Sequence, residues 1–545
     1  MINKVLFAGF ILIALGASSQ SFTRQDSLRG TIGEHRSWWD LLHYNLSVAI
    51  DTGNQSITGS NVISYKVLAN KDVMQIDLQS PLQIIKVEQD GEEIQFTSEG
   101  NAHFVQLIKD QPLGSVQKLK VSYQGLPTVA RRPPWSGGFS WERDQNGNPF
   151  IATSNQGIGA SIWWPCKDHP ADEPDQGVVM SFTVPENLVA VGNGRLTKVK
   201  KGKRTKTYTW EVTNPINAYG VNLNAADYAK FEEIFEGENG PLDMTYYVLS
   251  YNLEKAKKHF KEVTRTLEAF EYWFGPYPFY EDGYKLVETP YLGMEHQSSV
   301  TYGNGYEMGY RGRDLSLSGW GLKWDYIIIH ETAHEWFANN ITCQDVADLW
   351  IHESFTCYSE GLFTEYHYGK DAGAEYIRGL RHGISNSGPI IGAYGVNKRG
   401  EDIYGKGANI LHTLRQLIDD DEKWRGILRG LNETFYHQTT NTQEVEKYIA
   451  EQSGLDLTKF FDQYLRTSDV PVLEYSVYQG KLMHRWTNCI EGFDMPIPVA
   501  IGDKTTILYP QTRWNYNNLK VEVPEGELIM VDPNYYVYST LITGK

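Results

Sequence analysis

A chain of 545 residues with 41% hydrophobic and 21% charged side chains has enough apolar material for about three domains of ordinary size, and contains no low-complexity stretch. A net charge of −17 argues against nucleic acid and anionic membrane surfaces as partners. Aromatic residues reach 13%, as expected of aromatic-rich strands and of packing between domains.

The first nineteen residues read as an export signal. Lys4 supplies the positive charge, Val5 to Ala17 forms an apolar core, and Ala17-Ser18-Ser19 offers small residues for cleavage. That core is too short to span a bilayer, which takes roughly 20 apolar residues. The expectation is a periplasmic or extracellular protein with no stable membrane insertion once residues 1–19 are removed.

Residues 20–248 read as a β domain. Tyr44 to Ile50 alternates apolar and polar, Thr52-Gly53-Asn54 supplies a turn, and Val62 to Val67 alternates again. Similar runs recur at Leu82 to Val87, Phe104 to Ile108, Leu119 to Tyr123, Val178 to Val184 and Thr207 to Val212. From Leu253 the period becomes helical. Leu253 to Phe274 is free of Gly and Pro until Gly275-Pro276 stops it. Helices are predicted over Leu322 to Asn339, Leu349 to His367, Ala372 to Leu380, Lys406 to Ile418 and Gln443 to Glu451, within a domain spanning 249–469. Past Asp469-Val470-Pro471, short strands return at Leu473 to Tyr478, Lys481 to Trp486, Ile497 to Ile501, Lys520 to Val523 and Leu528 to Val531, a small β module over 470–545.

Within the helical part stands His330-Glu331-Thr332-Ala333-His334, an H-E-x-x-H pattern. Residues four apart share a helix face, so both imidazoles can address one metal ion. Nineteen residues past His334 comes Glu353, on a second helix-compatible segment. Two imidazoles and a carboxylate are the donor set of a catalytic zinc that keeps one position open. Glu331, one residue after a ligand, is turned away from the metal and suits a general base acting on water. The four cysteines, Cys166, Cys343, Cys357 and Cys489, show no disulfide framework and no C-x-x-C pattern, and read as small buried side chains.

With Trp350-x-x-Glu353-x-Phe355, this pattern resembles the M1 family of zinc metallopeptidases, the gluzincin aminopeptidases. Leu292-Gly293-Met294-Glu295-His296 is similar to that family's G-x-M-E-N exopeptidase motif, Tyr404-Gly405-Lys406-Gly407-Ala408 to its Y-x-K-G stretch, and Trp164-Pro165-Cys166-Lys167-Asp168 to its F-P-C-x-D segment. Gln156, nine residues before Pro165, stands where the family often carries a glutamine. Leu292, His296 and Ser161 depart from the family's usual Gly, Asn and Arg, and residues 470–545 are expected to form a short β module where many members carry a large C-terminal helical domain.

The resemblance implies a saddle-like β-rich N-terminal domain, a thermolysin-like mainly α catalytic domain and a short β C-terminal module, with the site in the cleft between the first two. It implies one zinc per chain on His330, His334 and Glu353, and Tyr404 as the donor to the oxyanion. It assigns Glu295 to the substrate's α-amino group, with Gln156, Gly293 and Met294 also at the substrate. His296 is then a neighbour, since the ligand set is filled. The reading is an aminopeptidase acting on peptides with a free N-terminus. An endopeptidase with the same zinc chemistry, and a non-catalytic peptide-binding protein on the same scaffold, stand as alternatives.

Overall fold

The computed structural model describes residues 22–108, 110–478, 481–514, 523 and 529–543. The expected export segment lies outside the described residues, as does the expected strand at Lys520 to Val523 except for Val523. Among the described residues, no helix is long and apolar enough to cross a membrane.

Alternation builds the first domain. Along Trp39–Asp51, Leu46, Val48 and Ile50 are buried while Asn45, Ser47 and Ala49 are exposed. The Asp51 carboxylate accepts from the backbone N–H groups of Gly53 (2.9 Å) and Asn54 (3.1 Å). This Asx turn folds the strand back antiparallel onto Ser56–Val67. These two strands form the middle of an eight-stranded sheet, with Val178–Pro185 running parallel to the first. Its inner face buries Tyr44, Trp163, Trp164 and Phe182 in one core. A four-stranded sheet lies alongside, and its strand Pro149–Ser154 delivers Gln156 toward the rest of the chain.

A five-stranded sheet links this domain to the helices. Tyr228–Gly237, Gly240–Leu249, Tyr284–Glu288 and Val300–Tyr302 lie side by side, and Gly293–Met294 forms the edge. After the short α1 (Arg24–Gly30) near the start of the chain, the helices are α2 (Leu253–His259), α3 (Lys261–Phe274), α4 (Tyr326–Ala333), α5 (Trp350–Tyr368) and α6 (Lys370–Gly379). They continue with α7 (Gly405–Ile418), α8 (Asp421–Thr434), α9 (Thr442–Ser453) and α10 (Thr458–Arg466). Two three-stranded sheets close the chain, built from Val472–Tyr478 and Ile497–Ile501 with their neighbours. Their inner residues Leu473 and Trp486, and Tyr536 ahead of the last strand, join the core of the helical domain. The β-rich domain, the helical domain and the closing β module agree with the sequence reading.

Two predicted helices come out differently. The run from Leu253 to Phe274 is interrupted at Phe260 (φ −74°, ψ 2°). There the ring is drawn into an aromatic cluster with Phe231, Tyr246, Tyr302 and Tyr306. The run from Leu322 to Asn339 yields only Tyr326–Ala333. Asp325 fixes its start by accepting from the N–H groups of Ile327 (2.9 Å) and Ile328 (3.2 Å). Its end unwinds because the Phe337 carbonyl lies against His334 Nδ1 (2.9 Å). A local helix signal yields to the needs of a site.

Candidate active site

The residues of α4 before the first histidine, Ile327, Ile328 and Ile329, are buried in the core and anchor the helix. His330 and His334 then share its inner face. Glu353 enters from the first turn of α5, with its Oε2 3.8 Å from His330 Nε2 and 3.5 Å from His334 Nε2. The ligand atoms of these three side chains lie within 4.8 Å of one another. Both remaining imidazole nitrogens are tied back. His330 Nδ1 meets Glu360 Oε1 at 2.7 Å, and His334 Nδ1 meets the Phe337 carbonyl at 2.9 Å. Each partner is an acceptor, which places the proton on Nδ1 and leaves the Nε2 lone pairs aimed at the common point. Glu353 Oε2, buried, has no hydrogen-bond partner there. This donor set fits zinc.

Glu331 and Glu295 flank the cluster. Their carboxylates and His334 form a second convergent group, also within 4.8 Å, so the metal pocket and the Glu295 carboxylate are contiguous. Burial raises the Glu331 carboxyl to about 8, against the opposing effect of His330. Burial disfavours the charged form of His334, while the carboxylates of Glu295 and Glu353 favour it, so positive charge at this point is stabilised by the cluster. Burial pushes Glu353 upward too, but the pairing with His334 brings it down to about 2.

Gln156 reaches in from the β domain. Its Nε2 donates to Glu295 Oε1 (2.6 Å) and to Glu353 Oε1 (2.8 Å). The neighbouring Asn155 steadies the loop by donating to the carbonyls of Tyr219 (3.2 Å) and Val221 (3.1 Å). Gly293 lies where the sheet edge crosses α4. A Cβ there would stand 2.6 Å from Ile327 Cγ2 and 2.8 Å from Glu331 Oε1, so the close approach requires glycine. Met294 packs with Ala152, Tyr291 and the partly buried Tyr219. Tyr404 stands at the N-cap of α7, its ring 6.2 Å from that of His330 and inclined by 24°. Burial, aided by the Glu353 charge, holds its phenol well above the ordinary value, so it remains a donor at neutral pH. A tight crossing sets its place: a Cβ on Gly407 would stand 1.8 Å from Ser354 Oγ, and that hydroxyl donates to the Ile403 carbonyl at 2.7 Å.

The structure therefore brings His330, Glu331, His334, Glu353, Glu295, Gln156, Gly293, Met294 and Tyr404 to one place. Sequence reasoning did not single out Glu360, the partner of His330, although its position seven residues past Glu353 on α5 puts both on one helix face. Nor did it single out Tyr326, whose ring stacks on His330 at 5.1 Å. Asn339 also escaped it; its Nδ2 donates to the Glu295 carbonyl at 2.9 Å. The departures have structural roles. Leu292 is a core residue, Ser161 Oγ donates to Asp168 Oδ2 at 2.5 Å, and His296 is buried outside the ligand cluster. All four cysteines are free, and Cys166, Cys343 and Cys357 are buried.

Known proteins share this arrangement of domains. The family description "Peptidase M1 N-terminal domain" matches residues 41–219, and "Peptidase family M1 domain" matches residues 251–464. Probable aminopeptidase 2 of Sulfurisphaera tokodaii is 23% identical over 416 residues, covering 74% of this chain and 51% of its own. Endoplasmic reticulum aminopeptidase 1 of Mus musculus is 25% identical over 471 residues, covering 79% and 49%. The chain thus spans about half the length of these curated relatives. An M1 zinc metallopeptidase from Deinococcus radiodurans has a similar fold, with a TM-score of 0.67 at 22% identity, covering 80% of this chain and 96% of that one. A mutant of it, bound to a Tyr-Ser-Ala substrate, matches at a TM-score of 0.66 and 20% identity, with the same coverage.

Proposed function

The chain belongs to peptidase family M1, and on that premise we propose that it is a zinc-dependent aminopeptidase, releasing N-terminal residues from peptides. The observation that carries this reading is Glu295, a buried carboxylate set against the metal cluster and contacted by the Gln156 amide at 2.6 Å. A peptide's α-amino group has a pKa near 8 and is mostly a cation at neutral pH. In this reading that cation pairs with the Glu295 carboxylate and donates a hydrogen bond to the Gln156 amide oxygen, and Glu295 holds the first peptide bond over the cluster.

His330, His334 and Glu353 hold the zinc, which when bound supplies a Lewis acid and lets water ionise near neutral pH. Glu331 accepts the water proton at its carboxylate and returns it to the departing amine. Tyr404 donates its hydroxyl to the scissile carbonyl oxygen as negative charge develops there. Glycine at 293 keeps the sheet edge clear of side-chain atoms beside Glu331, so that an extended substrate backbone can lie along it.

The test compares one amino-acid 4-nitroanilide with its N-acetylated twin, with and without a chelator. Chelator-sensitive cleavage of the free-amine form alone is the expected result. Equal cleavage of both forms would remove Glu295 as the amine anchor and point to an endopeptidase.

A further inference from the structure

Behind Gln156 lies a space that the chemistry above does not use. A cavity of about 230 Å³ sits between the β-rich and helical domains. Gln156, Tyr219 and His352 form the wall it shares with the metal cluster. It is small beside the roughly 300–1,000 Å³ clefts that hold drug-sized ligands, and suits a single side chain. Val346 and Leu349 give it apolar walls, and Arg29, Lys398 and Arg399 line it with positive charge.

The commitments of these cations differ. Arg29 Nη2 donates to the Gly157 carbonyl at 2.8 Å and lies close to Asp168, the carboxylate on the lining. Asp168 is itself occupied by the N–H groups of Ala160 (3.1 Å) and Ser161 (3.3 Å). Lys398 pairs with Glu401 at 3.5 Å. Arg399 has no hydrogen bond or ion pair among the described residues. It lines the same cavity as Gln156, whose Nε2 contacts Glu295 and Glu353. His169, also on the lining, is held neutral by burial, its pKa lowered to about 4. Arg399 is exposed to the solvent that fills the cavity, so a carboxylate entering there would find its guanidinium without a partner among the described residues. The far wall includes Arg29 on α1, which lies outside the family match beginning at residue 41, and Thr31 Oγ1 ties α1 to the Gly395 carbonyl at 2.8 Å.

In an amino acid the amine and the side chain leave the same Cα. With the amine at Glu295 and Gln156, the side chain of the first residue points into the space that Gln156 walls. Resting on the aminopeptidase reading, we propose that this cavity is the first-residue pocket and that it selects an acidic N-terminal residue, glutamate foremost, whose carboxylate pairs with Arg399. The methylene stem of glutamate would lie along Val346 and Leu349 while its carboxylate meets the guanidinium. A charge-assisted pair of this kind is expected to separate glutamate from its neutral isostere by at least about tenfold.

The experiment measures kcat/KM for the 4-nitroanilides of Glu, Gln, Leu and Arg, each with a free amine, in the wild-type protein, Arg399→Gln and Arg399→Glu. Wild type is expected to favour Glu over Gln at least about tenfold, with the ratio shrinking as salt is raised. Arg399→Gln is expected to bring the Glu/Gln ratio to about one, and Arg399→Glu to favour Arg over Glu. A wild-type ratio near one, or a ratio that survives in Arg399→Gln, overturns the proposal. Free-amine cleavage without selectivity for Glu sinks this inference alone. Equal cleavage of acetylated twins, or no cleavage of any of the four, removes the aminopeptidase reading and this inference with it.

Discussion

In the metal cluster, the three ligands sit on two adjacent helices, and each imidazole has its second nitrogen tied to a buried acceptor. Behind Gln156 the cavity wall joins Arg29 to Arg399 from distant parts of the chain, and Arg399 is exposed and uncommitted. The contrast shows how one cleft divides its work. Bond-breaking groups must be held in place before substrate arrives, because reorganisation during reaction raises the barrier. A pocket that chooses among side chains gains by keeping a charge in reserve, to be satisfied only by the right ligand.

The contrast breaks first at Glu331. Glu331→Gln removes the proton acceptor but no metal ligand, so kcat should fall by about 10²–10⁴-fold while the metal content per chain stays unchanged. Retained turnover would reassign the base. Next comes the support of the ligands. Glu360→Gln should weaken zinc affinity about 10–100-fold, read by competition with a chelator of known affinity. Unchanged affinity would mean that His330 does not need its anchor. A smaller effect is expected at Gly293→Ala, whose methyl group would crowd Ile327 and Glu331; kcat/KM should drop on the order of tenfold with zinc still bound.

The smallest effect is on stability. His412, buried in α7 near Asn534, has its pKa lowered to about 3 by burial, reinforced by the Arg415, Arg381 and Arg378 charges. Between pH 6.5 and about 3 the unfolded chain therefore binds a proton that the folded chain does not. Stability falls as pH falls through that window, with a contribution from His412 on the order of 1–3 kcal/mol. His412→Gln should flatten the acid limb of a Tm-against-pH curve, and an unchanged limb would show that the fold protonates this histidine without penalty.

The difference between the two regions also governs what could be read from the sequence. His330, Glu331, His334 and Glu353 are visible because helix geometry converts a spacing of four into a shared face. Alternation exposed the strand pair at Tyr44 to Ile50 and Val62 to Val67, and the turn residues between them explain the pairing. Glu360 was within reach by the same periodicity. The helix end near Phe337 was not, because there the Phe337 carbonyl serves the His334 imidazole three residues back, a bond that helix preference alone does not announce. Gly293 is one of 50 glycines, and its need to be glycine exists only where the sheet edge meets α4. Arg399 is one of 50 basic residues, and its significance depends on which walls the fold places around it.

The closing β module shares its apolar interior with the helical domain: one continuous core runs from Phe235 to Tyr536. A ribosome must therefore release the chain past Tyr536 before the helices that carry the metal ligands can complete their packing, whereas the first β domain, with a core of its own, can form earlier. Calorimetry should accordingly resolve two melting transitions, not three, with the C-terminal strands and the zinc-site helices unfolding as one cooperative unit.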